Sequence, residues 1–340
     1  MVCVTTVDPL LAAVPARPVV TGSRGAVARR LYSPSIAIAL LTFAVAGVAL
    51  DRLARTGSLG QVLAAGRAEL LAPAIGLLVL VAVLCEQRWP AEVQPTLSRG
   101  RRQDMLWTAV HVVVVVPLMT LLGVGFAIVL GQHISWLHGS WTGSWPMWAL
   151  VPATLVAMDA ANWLAHLADH KIPPLWRLHT IHHSQEELSV LTSFRAHPLM
   201  HTTGFFISTV AALAMMGDRS LAPALITGYV CLGTLPHANV DWTFGRFGRV
   251  IVSPAYHRRH HSAEGEHDVN LAVVLPVWDM LAGRARFPDR TAAQFRTGLA
   301  GRPVTVEQAG ITQQPLRVLT RQLIEPFVTS QRRAWDSNPR

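Results

Sequence analysis

Charge is scarce in this chain. Only 14% of its 340 residues are Asp, Glu, Lys or Arg, while 51% are hydrophobic. A soluble domain carries nearer a quarter charged residues, so the shortage argues against an ordinary water-soluble domain and points to the bilayer. Lysine is almost missing: Lys171 is the one lysine among 29 basic residues. That bias toward arginine reads as a genomic habit without chemical meaning. Cysteine is sparse as well. Cys3, Cys85 and Cys231 lie far apart and form no CxxC pair, which excludes a disulfide framework. Two of them sit in apolar runs, as packing residues do. There is no internal repeat at solenoid periods and no low-complexity tract. Residues 1–32 lack the early apolar core and cleavage site of a signal peptide and are expected to form a disordered cytosolic tail.

The remaining charge is unbalanced, at a net +9. The arginines flank apolar runs and form no basic stripe interleaved with aromatics, so no nucleic-acid partner is expected. Anionic lipid headgroups are the simpler counterpart.

Apolar run length predicts about six membrane segments, near residues 35–50, 71–85, 106–130, 147–165, 200–216 and 221–235. Pro117 is positioned to kink the third. Gly217-Asp218-Arg219-Ser220 splits the last two, which are short enough for a shallow hairpin over 200–235. The basic residues before the first segment and after the second place the N-terminus inside; residues 131–146, without Lys or Arg, are outside. The expected organisation is therefore a tail (1–32), membrane segments with loops (33–145), a catalytic domain containing the hairpin (146–285), and a cytosolic C-terminal tail (286–340). Residues 316–327 of that tail are amphipathic, suited to packing on the domain or to lying on the membrane surface. The predicted fold class is all-α: an integral-membrane helical bundle with a cytosolic, histidine-rich metal-site cap.

Eleven of the 15 histidines fall between His166 and His261. His166 and His170 are spaced i, i+4, which places both imidazoles on one helix face. His179-Thr180-Ile181-His182-His183 gives an HxxHH cluster, and His257-Arg258-Arg259-His260-His261 repeats it. These eight nitrogen ligands are too many for one catalytic zinc, which takes about three. They suit two metals of about four or five ligands each. Imidazole alone does not choose among iron, zinc, copper and nickel. His237 is read as a further ligand, with a capping or core role as the alternative. His197 has two open readings, support around the site or an ordinary loop histidine; His201 enters an apolar run and reads as structural. His111, His133, His138 and His267 carry no assigned role. Asp159, Asn162, His166 and His170 share one helical face, so Asp159 is placed to accept a ligand histidine's other N–H or to bond near the site, with pairing to another helix as the alternative. Glu186 and Glu187 read as solvated.

Together, Asp159 through His166, Leu175 through Ser184, Arg195-Ala196-His197-Pro198-Leu199, His237-Ala238-Asn239, Ser253 through Ser262, Asp268-Val269-Asn270 and Trp278-Asp279 resemble the fatty acid hydroxylase superfamily, also called the sterol desaturase family. Glu86-Gln87-Arg88-Trp89-Pro90 resembles the stretch upstream of it. The chain departs from the family at Leu167, often Arg; at Ala196 and Leu271, often aromatic; and at Met200, often acidic.

The resemblance implies two iron ions held by the eight box histidines, O₂ as co-substrate, and hydroxylation or desaturation of a membrane lipid such as a sterol, fatty acyl chain or ether lipid. It adds Asn239 and Asn270 to Asp159 and Asn162 as residues supporting the ligands. With no cytochrome b₅-like haem domain evident, electrons are expected from a separate ferredoxin-, flavoprotein- or cytochrome b₅-type donor. The expected location is a bacterial cytoplasmic membrane, with the metal site facing the cytoplasm. Two rivals are a multi-span metal transporter, whose ligands would line a path across the bilayer, and a catalytically inactive lipid-binding protein.

Overall fold

The computed structural model describes residues 71–116, 140–217, 222–264, 266, 268–288, 296–299, 319–320 and 322–323. Eight α-helices appear among these residues: α1 (Leu71–Arg88), α2 (Arg99–Val110), α3 (Met147–Lys171), α4 (Pro173–His183), α5 (Pro198–Met216), α6 (Ala222–Thr234), α7 (Pro254–His260) and α8 (Val277–Leu281). No strand is present among them; the extended pairing is two isolated bridges, Pro90 with Val240 and Ser262 with Thr297. The described chain is thus mostly helical.

Proline sets several of the boundaries that matter. Pro173 and Pro174 cannot continue α3, so the chain turns through the single extended residue Ile172 (φ −100°, ψ 112°) and restarts as α4 with Pro at its first turn. That sharp corner folds the histidine-bearing end of α3 against α4. Pro198 opens α5 behind a His197 cap, and Pro254 opens α7 behind a Ser253 cap whose side chain accepts from the Tyr256 N–H.

α3 packs along α5 and against α4, with α6 beside them. Met158, Ala212, Tyr229 and Val274 form the shared core of α3, α5, α6 and the segment before α8. A second core joins Val79 and Ala82 of α1 to Val190, Leu191 and Phe194 of a 3₁₀ turn at Val190–Phe194.

Among the described residues, no helix is long and apolar enough to cross a membrane. The expected fourth span is in fact the first part of a 25-residue helix that continues through His166, Asp169, His170 and Lys171. The expected hairpin is the pair α5 and α6, of 19 and 13 residues, which touch each other. The segment at 35–50, Pro117, the tail at 1–32 and most of 286–340 lie outside the described residues. In place of an observable proline kink, α2 runs into a π-helical turn at His111–Val115.

Candidate metal centre

The structure brings all nine candidate ligand histidines together, in two groups. His166 and His170 from α3, His179 and His183 from α4, and His260 from α7 form a group of five. His182 from α4, His237 from the 3₁₀ turn after α6, and His257 and His261 from α7 and its cap form a group of four. Within each group one ring nitrogen per residue lies within 4.8 Å of the others, every residue is buried, and either group could hold a metal ion.

The repeated HxxHH pattern explains the split. Adjacent helical residues point about 100° apart, whereas residues four apart share a face. His179 and His183 therefore address one group while His182 addresses the other. His257 and His261 pair in the same way, and His260 crosses to the group of five. The groups are neighbours: the His183 and His261 rings stack with centroids 4.5 Å apart.

Outer partners fix the ring orientations. In the group of five, His166 Nδ1–H donates to the Leu271 carbonyl at 2.7 Å, His260 Nδ1–H to the Val269 carbonyl at 2.9 Å, and His170 Nδ1–H to Asp268 Oδ1 at 3.0 Å. Three of the five rings are thus held by one short segment, 268–271. His179 Nδ1–H points at Met200 Sδ, 2.9 Å away. Asp268 and Asn270 sit at φ 60° and 57°, a left-handed backbone that local bonds must hold. Asn270 supplies some of them: its Nδ2 donates to the Tyr256 and Arg286 carbonyls, and its Oδ1 accepts from the Arg286 N–H.

In the group of four, a different segment does this work. His182 Nδ1–H donates to the Arg195 carbonyl at 3.1 Å. His237 Nδ1 lies 2.9 Å from Ser193 Oγ. The Ser193 hydroxyl gives its one hydrogen to the Thr234 carbonyl, so it accepts from His237.

Two pairs of buried carboxylates pin these segments. Asp159 accepts from Tyr229, from Trp278 and from the N–H groups of Val274 and Leu275. Asp279 accepts from Trp163, Tyr256 and the Ala272 N–H. Both therefore clamp the stretch that follows 268–271. On the other side, Asp104 accepts from Gln185, Thr192 and Arg195, and Glu86 accepts from the N–H groups of Val190 and Asn239 and from Arg101. Arg195 is wholly buried and also donates to the Ile181 carbonyl and to Ser184, which braces the end of α4. Burial lifts the Asp104 carboxyl to about 6, against the pull of Arg195, Thr192 and Gln185.

Several sequence expectations change accordingly. Asp159 touches no ligand histidine; it anchors the 274–278 segment to α3. Asn162 donates to Ser208 of α5, and Asn239 bonds Glu92 and Arg258, so neither reaches a ring. Glu187 is buried rather than solvated and accepts from the Gly100 N–H at 2.8 Å. His197 caps α5 through Nδ1, and its Nε2–H donates to the Leu323 carbonyl. The His201 side chain, His133, His138 and His267 lie outside the described residues. Asp104, Ser193, Arg195, Met200 and Asp268 carry no role in the sequence pattern. Arg195 and Asp268 stand there only inside the resembling blocks, and Met200 only as a departure from them.

The inner nitrogens fit a bound cation. Burial and the neighbouring imidazoles push His166 down to about 3 and hold His179, His183, His257, His260 and His261 well below the usual imidazole value, so these rings are neutral. His166 and His179 each commit their one hydrogen to the outer nitrogen, yet their Nε2 atoms lie 3.1 Å apart. Two lone pairs at that distance repel unless a positive charge lies between them. The Nε2 atoms of His182 and His237 show the same arrangement at 3.0 Å. His260 Nε2 is buried with no hydrogen-bond partner, which costs free energy in the absence of a ligand. An all-imidazole donor set suits a borderline transition metal.

Fold and site together define a helical protein with paired, buried polyhistidine clusters. Residues 151–284 match the fatty acid hydroxylase family, which supports the resemblance to that superfamily. The chain is 30% identical to the ornithine lipid hydroxylase OlsE of Rhizobium tropici over 59% of its own length and 57% of that protein. It is 22% identical to the alkylglycerol monooxygenase of Danio rerio, over 46% of this chain and 34% of the relative, and 24% identical to that of Homo sapiens, over 42% and 31%. It therefore spans from about a third to just over half of these curated relatives. No solved structure matches the chain significantly.

Proposed function

We propose that this chain is an O₂-dependent, di-iron lipid hydroxylase, with desaturation as the variant outcome of the same hydrogen abstraction. The five-and-four arrangement of buried imidazoles carries the proposal. His166, His170, His179, His183 and His260 would hold one iron; His182, His237, His257 and His261 would hold the other. When bound, the two ferrous ions would supply O₂ reduction and oxygen insertion at an unactivated C–H bond, with electrons from a separate ferredoxin-, flavoprotein- or cytochrome b₅-type donor. The protein fixes the tautomers of His166, His170, His182, His237 and His260 from outside and buries the pair away from water. Orienting partners of this kind raise ligand basicity and metal affinity.

The substrate class is a membrane lipid. The names of the relatives, an ornithine lipid hydroxylase and alkylglycerol monooxygenases, favour a lipid with a polar headgroup over a sterol. An integral position in a bacterial cytoplasmic membrane, with N-terminus and metal site in the cytoplasm, belongs to the same proposal and rests on the apolar composition and arginine distribution. The test is iron content of the purified protein combined with lipidomics of a deletion strain. Two irons per chain and loss of a lipid 16 mass units heavier than its precursor support the proposal. A single zinc with an unchanged lipid profile contradicts it.

A further inference from the structure

Between Val240 and α7 the chain makes an exposed tip, residues 242–250. Its shape is built in. Phe244 and Gly245 both adopt positive φ, 58° and 52°. A 3₁₀ turn follows over Gly245–Arg249, and a Cβ at Gly248 would meet the Thr243 carbonyl oxygen at 2.4 Å. A phenylalanine in left-handed backbone is strained, so a fixed tip needs support. The Ala255 N–H bonded to the Trp242 carbonyl and the Val252 N–H bonded to the Val274 carbonyl close its base.

What the tip presents is apolar and basic at once. Phe247 is 76% exposed and Val250 is 64% exposed. Trp242 and Phe244 are exposed beside them, and the Trp242 ring lies 5.9 Å from that of the exposed Trp89. Arg246 and Arg249 alternate with the apolar residues, and Arg88 lies over Trp89 at 5.2 Å. No Asp or Glu occurs from 242 to 263. Of the acids nearest in sequence or contact, Glu92 is taken by Arg258, and Asp241 is half-buried beside the Trp89 carbonyl.

Position adds a second, independent argument. Trp89 directly follows the apolar helix α1, and Trp242 lies eight residues beyond the end of the apolar helix α6. The two segments are joined at this face by the Pro90–Val240 bridge. Indoles at the ends of apolar helices mark a membrane–water boundary. An acidic protein surface would match the arginines but leave Phe247 and Val250 without a complement. An anionic bilayer matches both, taking the rings into the headgroup boundary and the guanidinium groups onto phosphates.

We propose that residues 242–250 are a lipid-surface anchor that seats the protein on an anionic leaflet beside the group of four histidines. The tip leads directly into α7, so His257 is seven residues from Val250. Seating the tip thus brings that group close to the leaflet from which a lipid chain enters. This consequence rests on the lipid-hydroxylase reading; the anchor itself does not.

The test uses full-length protein with Cys3, Cys85 and Cys231 replaced by Ala and an environment-sensitive NBD probe on Phe247→Cys, with Val250→Cys as a second site. The protein is placed in nanodiscs of phosphatidylcholine, with or without phosphatidylglycerol. The expected result is blue-shifted emission, quenched by lipids spin-labelled near the headgroup, and stronger with phosphatidylglycerol. Arg246→Gln and Arg249→Gln should each weaken partitioning of the tip about fivefold. Water-like emission from both sites in both membranes overturns the anchor. Quenching indifferent to phosphatidylglycerol and to the arginines overturns its anionic preference. A probe shielded only on adding a soluble ferredoxin overturns it in favour of a protein partner. Lipid product formed in the same discs is scored separately, so an anchor that fails while hydroxylation persists leaves the functional reading standing.

Discussion

The two histidine groups share α4 and α7 but are supported by different parts of the chain. The group of five is oriented from the C-terminal side, where Asp268, Val269 and Leu271 supply acceptors for three rings and Asp159 and Asp279 pin the stretch that follows. The group of four is oriented by Ser193 and Arg195, and the carboxylates behind that turn, Glu86 and Asp104, come from α1 and α2, upstream of the region matching the family. Ligands for both groups, and Ser193 and Arg195 themselves, lie within residues 151–284, but the carboxylates that brace that turn do not. The group of four therefore depends on a preceding helix pair, whereas the group of five is held from residues 268–286. The two halves also differ in exposure. Asp104 and Arg195 are wholly buried, whereas Asp268 also pairs with the half-exposed Lys171. Burial alone would raise the Asp268 carboxyl; its bonds from His170 and Lys171 outweigh that and hold it below the usual carboxylate range.

This contrast can be broken at either half. The largest effect is expected from His260→Ala and His182→Ala: each should abolish turnover, and metal analysis should read one ion per chain in place of two. Asp104→Ala comes next. It strands the buried Arg195 guanidinium, which should cost about 3–5 kcal/mol of stability, visible as a lowered melting temperature, and should empty the group of four first. Asp268→Asn should act on the other half with little change in melting. Losing the charged acceptor of His170 should weaken one of the two metals about 10–100-fold, seen as one fast phase in chelator extraction. Ser193→Ala should weaken the opposite metal by about tenfold, at the low end of the same range. If Asp268→Asn and Ser193→Ala release both metals together, the two halves are not independently supported. The smallest effect is on pH. Because burial holds His166, His170, His179, His183, His257, His260 and His261 below the ordinary imidazole value near 6.5, protons should not compete with metal there. Loading should stay level from about pH 8 to 6; a fall centred near 6.5 would show the rings solvated and ordinary.

The clustering of the ligands was legible in the sequence because helix geometry converts i, i+3 and i+4 spacing directly into shared faces. His166 with His170 is the simplest case. The division into five and four was less so: it depends on His182 and His183, adjacent in sequence, pointing to different centres, and on which helix each faces. The orienting partners were hidden for a plainer reason. The Leu271, Val269 and Arg195 acceptors are backbone carbonyls, which no side-chain pattern announces. Asp104 and Glu86 reach contacts about 80 to 150 residues away, so no local periodicity marks them as buried; Asp104, following Arg101 and Arg102, looks like a surface charge. Asp159 takes the alternative role, pairing with another helix. It lies on the histidine face of α3 as the spacing requires, but four donors from α6 and the 274–278 segment reach it first. Hydropathy found the helices α1, α3, α5 and α6 at nearly the expected places, since apolar runs make helices whether or not they span a bilayer.

Iron-edge anomalous diffraction from iron-loaded crystals tests the central claim most directly. Two peaks are expected, one enclosed by His166, His170, His179, His183 and His260, the other by His182, His237, His257 and His261. A single peak, or a peak outside these two groups, would contradict the account.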